Sequence, residues 1–370
     1  MDLEFSSEQE DLRRSIRTVL EDACPIGLVR EVVEKGTGAD RLWARQVELD
    51  WPALTVPEAG GGIGLGFVEL TVLVEELGRA IAPGPLFATM TQFAPLVRES
   101  GDPEQQAEVL GPVAASGRSG TVAVAEAGVG WDLERLAATA TPDGDGWLLE
   151  GTKHWVLDGD VADDVAVVAR MSESSRLAVF VVPGADLLVV PMRALDGSRS
   201  LATVTLDGCR VPARRCLQQG GERGIGRAFE EATVAMATET VGTCQSIFDI
   251  ALQYAKDRHQ FGVAIGSFQA VKHKFADMLV AVERARALAY FAAATIAEDD
   301  PRRSLAAAMA KAAAGDAQQL LAQEGIQCLG GIGYTWEHDM HLYVKRAKTN
   351  GALLGGGAAH RKRVAELLSL

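Results

Sequence analysis

At 370 residues the chain is too long for one small core and long enough for two or three packed subdomains. A hydrophobic share of 48% and a charged share of 23% are those of an ordinary globular enzyme. The net charge of -14, with Lys and Arg scattered and no basic stripe, argues against binding to nucleic acid or anionic membrane.

The opening stretch, residues 1–22, is acidic and has no basic start followed by an apolar run, so no signal peptide is expected there. Ser6 and Ser7 ahead of Glu8 and Glu10 predict a helix N-terminus, and Leu12, Ile16, Val19 and Leu20 recur on one helical face. The run Val56-Pro57-Glu58-Ala59-Gly60-Gly61-Gly62-Ile63-Gly64 reads as a glycine-rich loop. A second amphipathic helix follows through Val68, Leu70, Leu73, Leu77 and Ile81 and stops at Pro83-Gly84-Pro85.

From Thr121 to about Cys216, short Val-, Leu- and Thr-rich runs alternate with turn signals such as Pro142-Asp143-Gly144-Asp145-Gly146 and Asp158-Gly159-Asp160. Residues 147–151, 165–169 and 177–182 are predicted strands, and their succession without helices suggests an antiparallel barrel or sandwich. Beyond Gly224 the chain is Ala-rich and periodic over residues 225–257, 267–298, 304–328 and a tail near 341–368, which suggests a four-helix bundle. The expected fold is therefore α+β: an N-terminal helical domain (1–118), a middle antiparallel β-barrel domain (119–217) and a C-terminal helical bundle (218–370).

No stretch is apolar for long enough to span a bilayer. Five scattered cysteines (Cys24, Cys209, Cys216, Cys244, Cys328) include no CxxC pair, which fits a reducing cytoplasm and offers no zinc site.

Several segments, in order, resemble the acyl-CoA dehydrogenase family. Val56-Pro57-Glu58 with Gly60–Gly64 resembles its PE-x-x-GG-x-G loop, and Glu75-Glu76-Leu77-Gly78-Arg79 follows at the expected distance. Ala125-Glu126-Ala127-Gly128-Val129-Gly130-Trp131-Asp132 resembles its TEP-x-AGSD loop, and Gly151-Thr152-Lys153-His154-Trp155-Val156-Leu157-Asp158-Gly159 its GxKxWITNG strand. Arg258-His259-Gln260-Phe261-Gly262 with Gly266-Ser267-Phe268-Gln269 is similar to the RxxFG…Q flavin segment. Gln327-Cys328-Leu329-Gly330-Gly331-Ile332-Gly333-Tyr334 is similar to the QxxGGxGY segment, and Trp336-Glu337-His338-Asp339 continues one common subgroup.

The resemblance implies FAD, with Arg258, Phe261, Gln269, Gln327, Gly330, Gly331, Gly333, Trp155 and Glu126 as cofactor-site residues and no metal. It also implies a dimer or tetramer in which the arginine and QxxGGxGY segments of neighbouring subunits meet one flavin. The physical logic is independent of the resemblance. Arg258 offers a forked phosphate donor, the glycines let main chain approach a ligand, and Trp155 offers a flat apolar face. The implied reaction removes the α proton of an acyl-CoA thioester, passes hydride from the β carbon to the flavin and hands electrons to an electron-transfer flavoprotein.

That chemistry needs a carboxylate base, and here the sequence departs from the family. Gly355 occupies the position of the usual glutamate in Leu353–Arg361, Gly356 that of a subgroup's aspartate, and Ala232 that of a glutamate placed by a second group on the first bundle helix. Glu239 remains, the one charged residue between Ala232 and Phe248. It is the candidate base, set against a structural role in an ion pair or an internal hydrogen-bond network. Ala125 and Leu157 replace threonines, and Trp131 replaces a small serine where a phosphate or pantetheine would pass. The expected activity is FAD-dependent dehydrogenation of a bulky or atypical acyl-CoA. The alternatives are a non-catalytic partner subunit of a heteromeric dehydrogenase, and a flavin oxidase or monooxygenase on the same fold.

Overall fold

The computed structural model describes residues 5–370, so the first four residues of the acidic opening stretch lie outside it. The order is helices, then a sheet, then helices, and the chain divides into two compact units. The first comprises Met1–Gly36, Phe67–Ala82 and Thr233–Leu370; the second comprises Thr37–Gly66 and Pro83–Ala232. Among the described residues no helix is long and apolar enough to cross a membrane.

In the first unit, α1 (Ser7–Ala23) begins at a capping box in which Ser6 accepts from the Gln9 amide and the Gln9 side chain answers the Ser6 amide. It buries Ile16 and Leu20, two of the four residues whose spacing predicts the helix. The short α2 (Ile26–Lys35) follows, closed by Gly36 in the left-handed conformation. In α4 (Phe67–Ala80), Leu70, Leu73 and Leu77 are buried, as their period requires.

The second unit starts with α3 (Ala39–Glu48) and a glycine loop that folds back on itself through Ile63 N–H to Ala53 O and Gly64 N–H to Val56 O. Gly62 is obligatory there, because a Cβ would lie 2.0 Å from the Val56 carbonyl oxygen. A short helical run, α5 (Leu86–Ala88), continues through a π-turn (Thr89–Phe93) into α6 (Ala94–Ser100), and α7 (Pro103–Ser116) follows with its own capping box.

The sheet of this unit comprises β1 (Gly120–Ala123), β2 (Thr139–Asp143), β3 (Gly146–Leu157), β4 (Asp164–Met171), β5 (Leu177–Pro183), β6 (Leu188–Pro191), β7 (Leu201–Pro212) and β8 (Cys216–Leu217). The order is β6-β7-β3-β2-β4-β5-β8, with β1 beside β4. Most pairings are antiparallel, as expected, but β1 and β2 each pair with β4 in parallel, which makes the sheet mixed. Both lie along one edge of β4, β1 at Asp164–Val167 and β2 at Arg170–Met171. β3 is longer than the predicted 147–151 because β7 supplies a ladder over its whole length. Val165, Val167, Phe180 and Val204 form a core on one face, and Val168, Val179 and Val181 pack with Phe93, Leu96 and Leu110 on the other.

The bundle belongs to the first unit apart from the opening turns of α8 (Gly221–Asp257). The exposed hairpin of β9 (His259–Gln260) and β10 (Val263–Ala264) leads to α9 (Gln269–Ala297) and α10 (Arg303–Leu329). The predicted tail helix is two helices, α11 (Met340–Ala352) and α12 (Gly357–Leu367). They are separated where Leu354 and Gly355 both take positive φ, 56° and 91°. Ile247, Met278, Val282, Leu321 and Met340 fill the bundle interior. All five cysteines are free.

Candidate functional site

In the second unit the site residues sit on β3 and the turn after β1. A register shift between Lys153 and Val156 marks a bulge at His154 and Trp155, and Trp155 carries a φ of 54°. For an aromatic residue that conformation is strained, and strain of this kind gathers where a side chain must be re-aimed. The backbone is held by His154 N–H donating to Ala125 O at 2.8 Å. The indole of Trp155 is half-buried and lies 5.5 Å from that of Trp131, the rings tilted by 31°.

The Ala125–Asp132 loop is tight. Glu126 N–H donates to Gly130 O and Gly130 N–H to Glu126 O, while Gly128 and Gly130 take positive φ with open space where a Cβ would stand. Bare main chain of this kind lets a ligand come close.

Glu126, expected among the cofactor residues, has protein partners for its carboxylate. Its carboxylate accepts from Lys153 Nζ at 2.7 Å and from the amides of Ala137 and Ala138 at 2.8 and 3.0 Å. Lys153 is fully buried and also donates to Val124 O. Burial pushes the Glu126 carboxyl up, but Lys153 and the two amides outweigh it and hold the carboxyl below its ordinary range. Burial likewise pulls the Lys153 ammonium down against the attraction of Glu126. The pair ties the Ala125–Asp132 loop to β3 and to the segment before β2. Lys153→Met would leave Glu126 buried without its cation. It is expected to lower stability by about 3 kcal/mol, read as a denaturation midpoint, with Lys153→Met/Glu126→Gln recovering part of the loss.

In the first unit, Arg258, Phe261 and Gln269 are exposed around the β9–β10 hairpin, and Phe261 is 93% exposed with a φ of 54°. Gln327, Gly330 and Gly331 are also exposed at the end of α10, whereas Gly333 is buried against Leu329 and Ile326. Gly330 takes a φ of 65°, and nothing stands within 4 Å of a Cβ built on Gly330 or Gly331. This open glycine turn and the unburied guanidinium of Arg258 suit a phosphate-bearing ligand.

Glu239 lies deep in the bundle. Its carboxylate receives Arg346 Nη1 at 3.0 Å and Asn350 Nδ2 at 2.9 Å, and both Glu239 and Arg346 have 0% exposure. Arg346 also donates to the carbonyls of Ile81 and Ala82. The close crossing of α4 and α8 shapes this pocket, since a Cβ at Gly78 would lie 2.1 Å from the Glu239 carbonyl oxygen. The arrangement is the ion pair and hydrogen-bond network that stood against a catalytic role in the sequence.

Lys311 on α10 belongs to the same interior and donates to the Asn350 carbonyl. Burial pulls its ammonium down to about 7 against the attraction of Glu239. Beside it, His360 Nε2–H donates to Leu354 O at 2.8 Å and clasps the turn between α11 and α12. A Cβ at Gly355 would meet that imidazole at 3.1 Å, so the backbone at the vacated base position lies against His360. Arg346, Asn350, Lys311 and His360 had not been singled out from sequence. Lys311 had a signal: it is the only charged residue in Leu305–Gly315, the same kind of isolation that drew attention to Glu239.

Three family models match: acyl-CoA dehydrogenase N-terminal domain over residues 6–117, middle domain over 121–209 and C-terminal domain over 219–369. The chain is 34% identical over 98% of its length to the acyl-CoA dehydrogenase FadE34 of Mycobacterium tuberculosis, and spans about half of that protein, 48%. It is 31% identical to the acyl-CoA dehydrogenase IpdE2 of Mycolicibacterium smegmatis, over 95% of this chain and 96% of the other. Among solved structures, the ChsE4–ChsE5 complex of Mycobacterium tuberculosis matches with a TM-score of 0.91 and 29% identity, over 100% of this chain and 99% of that one.

Proposed function

This chain belongs to the acyl-CoA dehydrogenase family, and from that premise we propose that it serves the α,β-dehydrogenation of a bulky acyl-CoA thioester in an assembly whose catalytic carboxylate comes from an unlike chain. The protein is an acyl-CoA dehydrogenase-type flavin oxidoreductase, and its cofactor is FAD. FAD, when bound, supplies the acceptor for the hydride leaving the β carbon. Each unit holds residues that suit it: in the first, Arg258 would meet phosphate oxygens and Gly330 and Gly331 would admit a dinucleotide close to main chain, and in the second, Trp155 offers an apolar face to a ring system.

The observation that carries the unlike-chain reading is the burial of Glu239. A base must reach the α carbon of its substrate, but this carboxylate has no exposed surface and is engaged by Arg346 and Asn350. The other positions where the family places a base are Gly355, Gly356 and Ala232. We therefore assign Glu239 to the framework of the bundle, and Glu126 to that of the sheet domain. The ChsE4–ChsE5 complex, a structural relative, itself consists of two differently named chains. The bulky acyl group is inferred from the side chains missing at Gly355–Gly357, with the room greatest at Gly356, where a Cβ would meet nothing closer than 3.7 Å, and less at Gly355 and Gly357, where it would meet His360 at 3.1 Å and Arg361 at 3.5 Å. Electrons would pass on to an electron-transfer flavoprotein.

Visible absorption during anaerobic titration with acyl-CoAs tests the reading. The chain expressed alone should show no bleaching of flavin absorbance, and the chain co-expressed with an unlike family member carrying the glutamate should bleach. Bleaching by the chain alone, abolished by Glu239→Gln, would overturn it and restore Glu239 as the base.

A further inference from the structure

We propose that Arg30 of α2 is a positioning residue for the cofactor: it holds residues 330–339 so that the open turn at Gly330 and Gly331 keeps one place for the dinucleotide. The inference rests on the reading of that turn given above.

The segment buries little of its own. From residue 330 to residue 337 Gly333 alone is buried, and Ile332, Tyr334 and Trp336 are 43%, 79% and 49% exposed. Apolar burial therefore fixes this stretch weakly, and polar ties must set its conformation.

α2 supplies them. Leu28 and Val29 are buried and plant the helix, and Arg30 and Glu34 stand one turn apart on one of its faces. Arg30 Nε donates to Asp339 Oδ1 at 2.6 Å, Nη2 donates to the Trp336 carbonyl at 2.9 Å, and Nη1 lies 3.6 Å from Glu34 Oε1. That Glu34 oxygen also accepts from Trp336 Nε1 at 2.9 Å. One charged pair thus grips both the main chain and the side chain of Trp336. From α11, His341 stacks on the Trp336 ring at 4.6 Å, and Lys345 Nζ lies 4.8 Å from the ring centre.

The stretch 336–339, which follows the glycine segment in the sequence, thereby gains a role: its two ends are the points at which α2 holds the turn. A planar fork suits the task, because it meets a carboxylate and a carbonyl at once, where lysine offers a point charge. Binding weakens in proportion to the time the turn spends away from its binding geometry. If Arg30→Met leaves it in place about a tenth of the time, FAD binds about tenfold more weakly.

Two readouts on the full-length protein, stripped of flavin and with any co-purifying chain, test this. They are FAD affinity by fluorescence titration, and the rate of chymotryptic cleavage after Tyr334 and Trp336, mapped by mass spectrometry. Arg30→Met should weaken FAD binding about tenfold and speed both cuts, with Arg30→Lys in between. Should Arg30→Met fail to fold, Trp336→Phe gives up the bond to Glu34 and should move FAD affinity and the Tyr334 cut the same way by less. Gly331→Val tests the underlying reading, since a Cβ there meets nothing within 4 Å. Weakened FAD binding in Gly331→Val with wild-type affinity in Arg30→Met would overturn the role of Arg30 and leave the turn reading standing. Wild-type affinity in Gly331→Val would overturn both. Wild-type cleavage in Arg30→Met beside weakened FAD binding would mean that Arg30 acts by another route, and would overturn the positioning role alone.

Discussion

Glu239→Gln should lower the stability of the protein by about 3–5 kcal/mol, the cost of leaving a buried cation without its counter-charge. Arg346 is fully buried, and Glu239 is the carboxylate it pairs with. Its other contacts include the carbonyls of Ile81 and Ala82, which carry only partial charge. Asn350 would keep a hydrogen-bond acceptor in the glutamine amide, so the loss reports chiefly on the charge. Denaturation midpoints at fixed protein concentration measure it, and the decisive comparison is the double variant Glu239→Gln/Arg346→Met. If Glu239 is a framework residue, removing both charges recovers most of the lost stability, because neither ion is then stranded. A catalytic carboxylate gives the other pattern: Glu239→Gln near wild-type stability, with its effect confined to turnover.

Lys311→Met should stabilise the protein most at and below neutral pH and flatten the dependence of stability on pH. The sign follows from burial. The Lys311 ammonium sits at about 7 in the fold against an ordinary 10.5, so between those values the unfolded chain holds a proton that the folded chain has released. Stability then rises with pH across that window, and the full penalty applies below about 7, where the charge is carried into the core. The gap corresponds to a penalty on the order of 5 kcal/mol, of which roughly 2 kcal/mol should be lost on acidification from about pH 9 to about pH 7.

The groups facing Lys311 are the Asn350 carbonyl and the Glu239 carboxylate, with Arg346 beyond it. The imidazole of His360, pulled down by its own burial and by Lys311, loses stability in the same direction at lower pH. Denaturation midpoints of wild type and Lys311→Met from about pH 6 to about pH 10 should diverge toward acid. Parallel curves would mean that Lys311 reaches solvent or a counter-charge in solution.

How far the sequence carried depends on the range of the interaction involved. The spacing of Leu70, Leu73 and Leu77 predicts α4 and its buried face because a helix repeats every few residues. The turn signal Asp143-Gly144-Asp145-Gly146 likewise marks the β2–β3 hairpin, whose register pairs Asp143 with Gly146. Local alternation marks β3 only over residues 147–151, and its run to Leu157 was legible only through the resemblance of residues 151–159 to a family strand, because the β7 ladder that holds it comes from some fifty residues further on. The parallel pairing of β1 and β2 with β4 was hidden for the same reason: local alternation marks a strand and leaves its neighbour open. Nor did the periodicity of the tail reveal its break, which depends on two consecutive positive-φ residues at Leu354 and Gly355.

The order of motifs along the chain, the vacant base positions at Gly355, Gly356 and Ala232, and the isolation of Glu239 were all determined by the sequence alone. Which groups Glu239 meets was decided by the tertiary structure. Its partners Arg346 and Asn350 lie 107 and 111 residues away and reach it only when α11 packs beside α8. The same holds for Glu126 and Lys153, 27 residues apart and joined by the folding of β3 against the preceding loop. An isolated carboxylate in an apolar helix is equally suited to proton transfer and to ion pairing. The choice between them is a matter of which charge stands within about 3 Å once water is excluded, and only the packed chain sets that distance.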